Sequence, residues 1–373
     1  MTIDHSINAR REPAPADALP AMMSPDAPAD LPRVFVLLPS VGLCTAMILL
    51  AAALAKAAAL DIRQLIVPYL ASACAITLLG ILGFIFLQVA KLARVGADDA
   101  IGKVKKQVLD RASLLVLPAI VLPLFLIGYT AAKCAIPFLV GYSWDTFFAN
   151  ADRYIFGDDV WHLSRRFLGN SNSHLWEWLY TVGWGGAFFI VANAISLFGS
   201  KRLAGVYFTA MLATWLIGGC FMAYAFSAAG PVFAQQFDPG LYGRFNPLRE
   251  TLASSLGDGP IKFTQQYLAT MAHVHVATKG GGISAMPSMH MATASIYVLA
   301  ARGTKWLSPA IVFWMIIFVA SGYFGYHYWV DGIAAAAVAL LCWASTERLY
   351  RLASSDRRAS LSFSDIRTSI TPI

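Results

Sequence analysis

Two histidines and an aspartate in the last quarter of the chain have the types and spacing for nucleophilic chemistry. His327 and Asp331 stand four residues apart in Gly325-Tyr326-His327-Tyr328-Trp329-Val330-Asp331, and His290 closes Ala285-Met286-Pro287-Ser288-Met289-His290. On a helix, the i, i+4 spacing stacks His327 and Asp331 on one face. A carboxylate bonded to one imidazole nitrogen fixes the tautomer and leaves the other nitrogen free to attack. Pro287 and Ser288 suit the first turn of a helix, whose open N–H groups and positive dipole end favour an anion. Lys279-Gly280-Gly281-Gly282 leads into that turn. Such a run lets backbone approach a phosphate closely, and Lys279 adds a charge. A glycine run alone is more often a flexible linker, so its weight comes from its position.

The elements that hold these residues are apolar helices. The 373-residue chain is 58% hydrophobic and 13% charged, with a mean hydropathy of +0.60. Soluble domains carry about 25% charged residues, so a soluble enzyme, a disordered chain and a fibre are excluded. The net charge of +7 is dispersed; it fits the Lys/Arg bias that orients membrane helices, not nucleic-acid binding. About 20 apolar residues span a bilayer. Eight segments qualify: 34–58, 65–90, 113–136, 175–198, 204–228, 284–301, 307–326 and 329–347. Placing both termini in the cytoplasm puts 18 of the 28 Lys and Arg inside, notably in the short loops. That orientation brings His290 and His327 to the same outer face. Against so apolar a background, an ionisable pair facing a second histidine marks function.

Two long outer segments remain. Residues 137–174 mix aromatics with charges (Trp144, Asp145, Phe147, Asp152, Arg153, Tyr154, Trp161) and read as an amphipathic interfacial piece. Residues 229–283 contain Arg244 and Arg249, which are phosphate-holding candidates or solvated loop charges. His273 and His275 would need further ligands to bind a metal, and none is expected. His162 and His174 read as interfacial, and Glu177 as a carboxylate at a helix start. The five cysteines have no metal-ligand spacing and read as packing residues.

The paired motifs resemble those of the type 2 phosphatidic acid phosphatase superfamily of membrane phosphatases and phosphotransferases. The matching pieces are Pro287-Ser288-x-His290 and His327-x-x-x-Asp331, about 40 residues apart. The pattern looks closest to the inositol phosphorylceramide synthase-like branch. Met289 replaces the usual glycine, and the second motif reads His-Tyr-x-x-Asp. Trp144-Asp145, Asp152-Arg153 and Phe226-Ser227-Ala228-Ala229-Gly230-Pro231 are similar to bacterial members, as is 282–290. The resemblance covers roughly 137–340. It implies that His327 attacks phosphorus, Asp331 orients it, and His290 protonates the departing oxygen and later deprotonates the acceptor, with no metal or other cofactor. The superfamily's Lys–Arg-Pro phosphate motif is absent, and Ala320-Ser321-Gly322 stands where an arginine is expected. Ser288, Lys279, Arg244 and Arg249 are then the candidates for holding phosphate.

The expected protein is an all-α polytopic membrane helix bundle with a six-helix phosphatase-like core. Residues 1–33 form a disordered cytoplasmic tail and 34–112 two extra spans with a basic cytoplasmic loop. Residues 113–350 form the catalytic core and 351–373 a cytoplasmic tail. The expected location is a bacterial inner membrane, with the site on the periplasmic face. The expected partners are a lipid phosphate, an alcohol or water acceptor and membrane lipids; nucleic acid is not one. The expected activity is phosphotransfer on a lipid phosphoester, possible donors of the phospho-headgroup including phosphoinositol lipids. Phosphatidic acid or prenyl diphosphate hydrolysis is the alternative. A transporter or scaffold is the competing class, but no repeated halves are evident.

Overall fold

The computed structural model describes residues 33–96, 98–169 and 172–368. Most of the expected N-terminal tail, and the last five residues, lie outside them. The described residues are almost wholly helical, and one isolated bridge, Asp61 to Val276, is their only β pairing.

Thirteen α-helices follow in order among the described residues, besides a short 3-10 turn at Pro239–Leu241. The first three are long and apolar: α1 (Arg33–Ala57), α2 (Arg63–Arg94) and α3 (Ala100–Leu139). Next come the short α4 (Asp145–Phe156) and α5 (Val160–Leu168), and then the long α6 (Ser173–Phe198) and α7 (Lys201–Ala225). Three helices, α8 (Pro231–Phe237), α9 (Tyr242–Leu256) and α10 (Pro260–Met271), fill the second long loop. The last are α11 (Met289–Ala300), α12 (Leu307–Tyr323) and α13 (Trp329–Thr368).

Six helices, α1, α2, α3, α6, α7 and α13, are long and apolar enough to cross a membrane. Eight were expected. The two others, α11 and α12, are apolar but shorter, at 12 and 17 residues. At about 1.5 Å rise per residue, α11 covers about 18 Å of a roughly 30 Å hydrocarbon layer. The hydropathy window counted 284–288 as helix, but those residues form the turn before Ser288 caps α11. The basic stretch around Lys103–Lys106 is not a loop either; it is the first part of α3.

One continuous core joins the N-terminal helices to the rest. Helix α1 packs on α3 and α7, while α11 packs on α7, α12 and α13. Helices α3, α6 and α7 each contain one π-helical turn, at Leu117–Val121, Leu179–Gly183 and Ile217–Met222. Such turns shift side-chain register and are common at functional sites. The turn in α6 puts Tyr180 beside His290.

Between α7 and α8 the chain turns through Gly230 at φ +90°. A Cβ there would run into the carbonyl of Tyr326, one residue before His327. Gly230→Ala is therefore expected to cost about 1–3 kcal/mol in backbone strain, read as a lower melting temperature of the detergent-solubilised protein. An unchanged melt would mean that the turn tolerates a Cβ at Gly230.

Candidate active site

A sharp turn between α12 and α13 carries His327. The chain leaves α12 at Tyr323, passes Gly325 at φ +68° and begins α13 at Trp329. His327 is buried, and its Nδ1–H donates to the carbonyl of Ala285 at 2.8 Å. This fixes the tautomer and leaves Nε2 as the unprotonated nitrogen. Asp331 Oδ2 lies 3.7 Å from the same Nδ1. That is beyond hydrogen-bond length, so the carboxyl group lies beside the ring without bonding to it. Its Oδ2 instead accepts the N–H of Tyr328 at 2.9 Å. Burial pushes the His327 imidazole down to about 3, and the ammonium of Lys133 adds to the shift. The ring is thus neutral, as a nucleophile requires.

His290 is the second residue of α11. Ser288 caps that helix: its hydroxyl accepts the N–H of Met291 at 3.4 Å, and its own N–H donates to the Asp331 carbonyl at 3.2 Å. The start of α11 is thereby tied to the first turn of α13. The two imidazoles face each other with centroids 5.7 Å apart. Tyr180 stacks on His290 at 4.7 Å and 14°, Trp184 packs at 4.2 Å, and Trp184 Nε1–H donates to the His290 carbonyl at 3.3 Å.

The remaining sequence candidates sit elsewhere. Lys279 Nζ donates to Ser72 and lies over the ring of Tyr69, both on α2. Arg244 is tied to Asp159, to the Asn150 side chain at 2.8 Å and to the Ala149 carbonyl at 2.6 Å. Arg249 lies against the Gln235 amide, whose oxygen, in the orientation that satisfies both groups, accepts from it at 2.7 Å. None of these contacts reaches His290 or His327. Of the four phosphate-holding candidates only Ser288 adjoins the pair, and its hydroxyl is engaged in the cap. His275 Nδ1–H donates to the Ala58 carbonyl and its ring stacks on Phe138, while His273 packs on Phe237. Asp158, Asp159 and His162 have ligand atoms within 4.8 Å of one another. Their carboxylates are taken by Arg153, Arg166 and Arg244. Glu177 caps a helix start, but that of α10, by accepting the Ile261 N–H at 2.7 Å.

Two features were not assigned from sequence. The first is Lys133, deep in apolar α3, whose charge acts on both histidines. A lone lysine inside a span was itself the signal. The glycine run explains its own presence here: Gly282, at φ +81°, crosses α3 so closely that a Cβ would meet Lys133 at 2.9 Å. The second is the pair Asp145 and Asp152, seven residues apart on one face of α4. Asp152 accepts the N–H groups of Trp329 at 2.9 Å and Val330 at 3.0 Å. These are first-turn donors of α13 that have no partner within the helix. Asp145 accepts from Ala229 and Gly230, both at 2.8 Å, and from the Tyr328 hydroxyl at 3.0 Å. The quoted segments Trp144-Asp145, Asp152-Arg153 and Phe226–Pro231 are thus one device that suspends the His327 turn.

Burial pushes Asp145 upward and Asp152 to about 7, against the pull of their N–H donors. Between 3.8 and about 7 the folded protein keeps a proton on Asp152 that the unfolded chain has released. Stability therefore falls with rising pH across that window. Asp152→Asn should flatten this part of the slope in melts run from pH 4 to 7.5. Parallel wild-type and variant curves would contradict it.

No curated protein and no solved structure matches the chain. A family model described as the PAP2 superfamily matches residues 147–345, more than half of the chain and the whole stretch from α4 to the apolar part of α13. The chain therefore belongs to the PAP2 superfamily.

Proposed function

We propose that this protein transfers the phosphoryl-bearing headgroup of a lipid phosphoester through a phosphohistidine on His327. Superfamily membership supports phosphatase-type activity on phosphoesters, and the apolar helices support a membrane setting. The observation that carries the finer reading is the His327 geometry: Nδ1–H held by the Ala285 carbonyl, Nε2 open, and His290 across a 5.7 Å centroid gap.

In the first half-reaction Nε2 of His327 forms a bond to phosphorus as the bond to the leaving oxygen breaks. Protonated His290 gives its proton to that oxygen. The phosphorylated ring keeps its Nδ1–H and becomes cationic, and the Asp331 carboxylate at 3.7 Å offsets that charge. In the second half-reaction neutral His290 takes the acceptor's proton, the acceptor oxygen bonds to phosphorus, and His327 is released. Lys133 is the cation whose field covers both rings; it opposes the negative charge on the transferring group.

Acceptor choice separates a transferase from a hydrolase. The aromatic walls of Tyr180 and Trp184 around His290 favour an organic alcohol over water by restricting solvent. The branch resemblance points the same way, to an inositol-like polyol. With both termini cytoplasmic, the site lies at the outer leaflet.

His327→Ala is expected to abolish turnover. His290→Ala should lose about 10²–10⁴-fold while letting phosphohistidine accumulate, and Asp331→Asn should fall between wild type and His327→Ala. Purified protein is given phosphatidic acid, a prenyl diphosphate and a phosphoinositol lipid, with and without a polyol, and both products are read by mass spectrometry. Three fully active variants would end the catalytic reading. Release of inorganic phosphate with no labelled polyol would end the transferase version and leave a phosphohydrolase.

A further inference from the structure

The site contains a polar group that the family motifs and the mechanism leave unused. Tyr180 is 2% exposed, and its hydroxyl has no hydrogen-bond partner among the described residues. Its ring stacks on His290 on one side, and Tyr326 stacks on it at 5.8 Å and 20°. The Tyr326 hydroxyl is also buried without a partner, and so is Oδ1 of Asp331. Tyr180 lies in the electrostatic field of both Tyr326 and Asp331. Three unpaired polar atoms thus belong to side chains that flank the two histidines: Tyr180 stacked on His290, Tyr326 next to His327 in the chain, and Asp331 beside the His327 ring.

Buried polar groups are nearly always bonded, and an orphan costs stability. A cluster of orphans at a reaction centre therefore points to a ligand that satisfies them. Two phenol O–H groups are donors and need acceptor oxygens. A transferring phosphoryl group has three such oxygens in its equatorial plane. The arginines that sequence suggested for holding it are engaged elsewhere, Arg244 with Asp159 and Arg249 with Gln235.

Resting on the proposed phosphoryl chemistry, we infer that the hydroxyl of Tyr180, with that of Tyr326 beside it, donates hydrogen bonds to the phosphoryl oxygens between His290 and His327. These neutral donors work with Lys133, the cation whose charge reaches both histidines. No proton leaves either phenol; the O–H bonds stay intact while charge builds on the oxygens they touch. Donors already in place at that point stabilise the transition state more than the ground state.

The test uses full-length protein in detergent with Tyr180→Phe, Tyr326→Phe and the double variant. Each keeps its ring, so the stacking on His290 is preserved. Tyr297→Phe is the control. Its hydroxyl is equally unpartnered, but it sits seven residues along α11 from His290, about 10 Å away by helical rise. Loss of one donor is expected to lower kcat about 10²-fold and to weaken binding of inorganic orthovanadate, a mimic of the transferring phosphoryl. The melting temperature should equal or exceed that of wild type, because an unsatisfied hydroxyl is removed. Tyr297→Phe should keep full activity. A lower melting temperature in Tyr180→Phe would mean its hydroxyl is bonded in the free protein, and would overturn the inference. So would unchanged kcat and vanadate affinity in the double variant, while His327→Ala remains inactive. If wild type binds no vanadate and His327→Ala is as active as wild type, the phosphoryl reading itself falls, and this inference with it.

Discussion

Backbone N–H groups in an apolar surround must find acceptors, and that requirement organises this protein. The turn carrying His327 ends in the open first turn of α13, where donors have no helical partner. Asp152 takes two of them, and Asp145 takes two more from the neighbouring turn at Ala229 and Gly230. Asp152 is held by two N–H dipoles, and Asp145 by two N–H dipoles and the Tyr328 phenol. Burying them is costly, as the upward shift of Asp152 to about 7 records. The cost is met because unpaired N–H groups at the same depth would cost as much.

The same economy sets the state of the site. The Ala285 carbonyl, not Asp331, accepts the His327 Nδ1–H. Asp331 is left one step back, with one oxygen engaged by the Tyr328 N–H and the other unpaired. A tautomer-fixed imidazole is thus held by backbone; under the proposed mechanism the Asp331 carboxylate answers the charge that forms when the ring is phosphorylated. Ser288 joins the two halves, since it caps α11 with its hydroxyl and bonds the Asp331 carbonyl with its N–H. His290 and His327 therefore cannot shift independently. Beside the two histidines, Tyr180, Tyr326 and Asp331 keep unpaired atoms.

Much of this was legible in the linear chain. Apolar runs of about 20 residues can be satisfied only as helices in a bilayer, so the helical membrane class follows from composition. The six long helices begin and end within a few residues of the runs, apart from α3 and α13, which extend past the apolar limits as polar helix. The His–Asp and Pro–Ser–x–His motifs stood out because ionisable groups are rare in such a background, and they mark the superfamily to which the chain belongs. Spacing alone also put His327 and Asp331 within reach of each other, though it suggested a direct bond where 3.7 Å is found.

Tertiary structure decided what sequence distance hides. Which carbonyl fixes His327 depends on how the Ala285 loop meets α13, an encounter across 42 residues. Arg244, Arg249 and Lys279 are all basic residues of the same long segment between apolar runs, indistinguishable in sequence, yet packing commits each to a partner away from the histidines. Lys133, in contrast, lies about 150 residues before His290, and only helix packing brings its charge to both rings. The physical reason is the range of the forces. Hydrophobic patterning is local and accumulates along the chain. Hydrogen bonds and charge contacts act over a few ångströms and exist only once the helices have met.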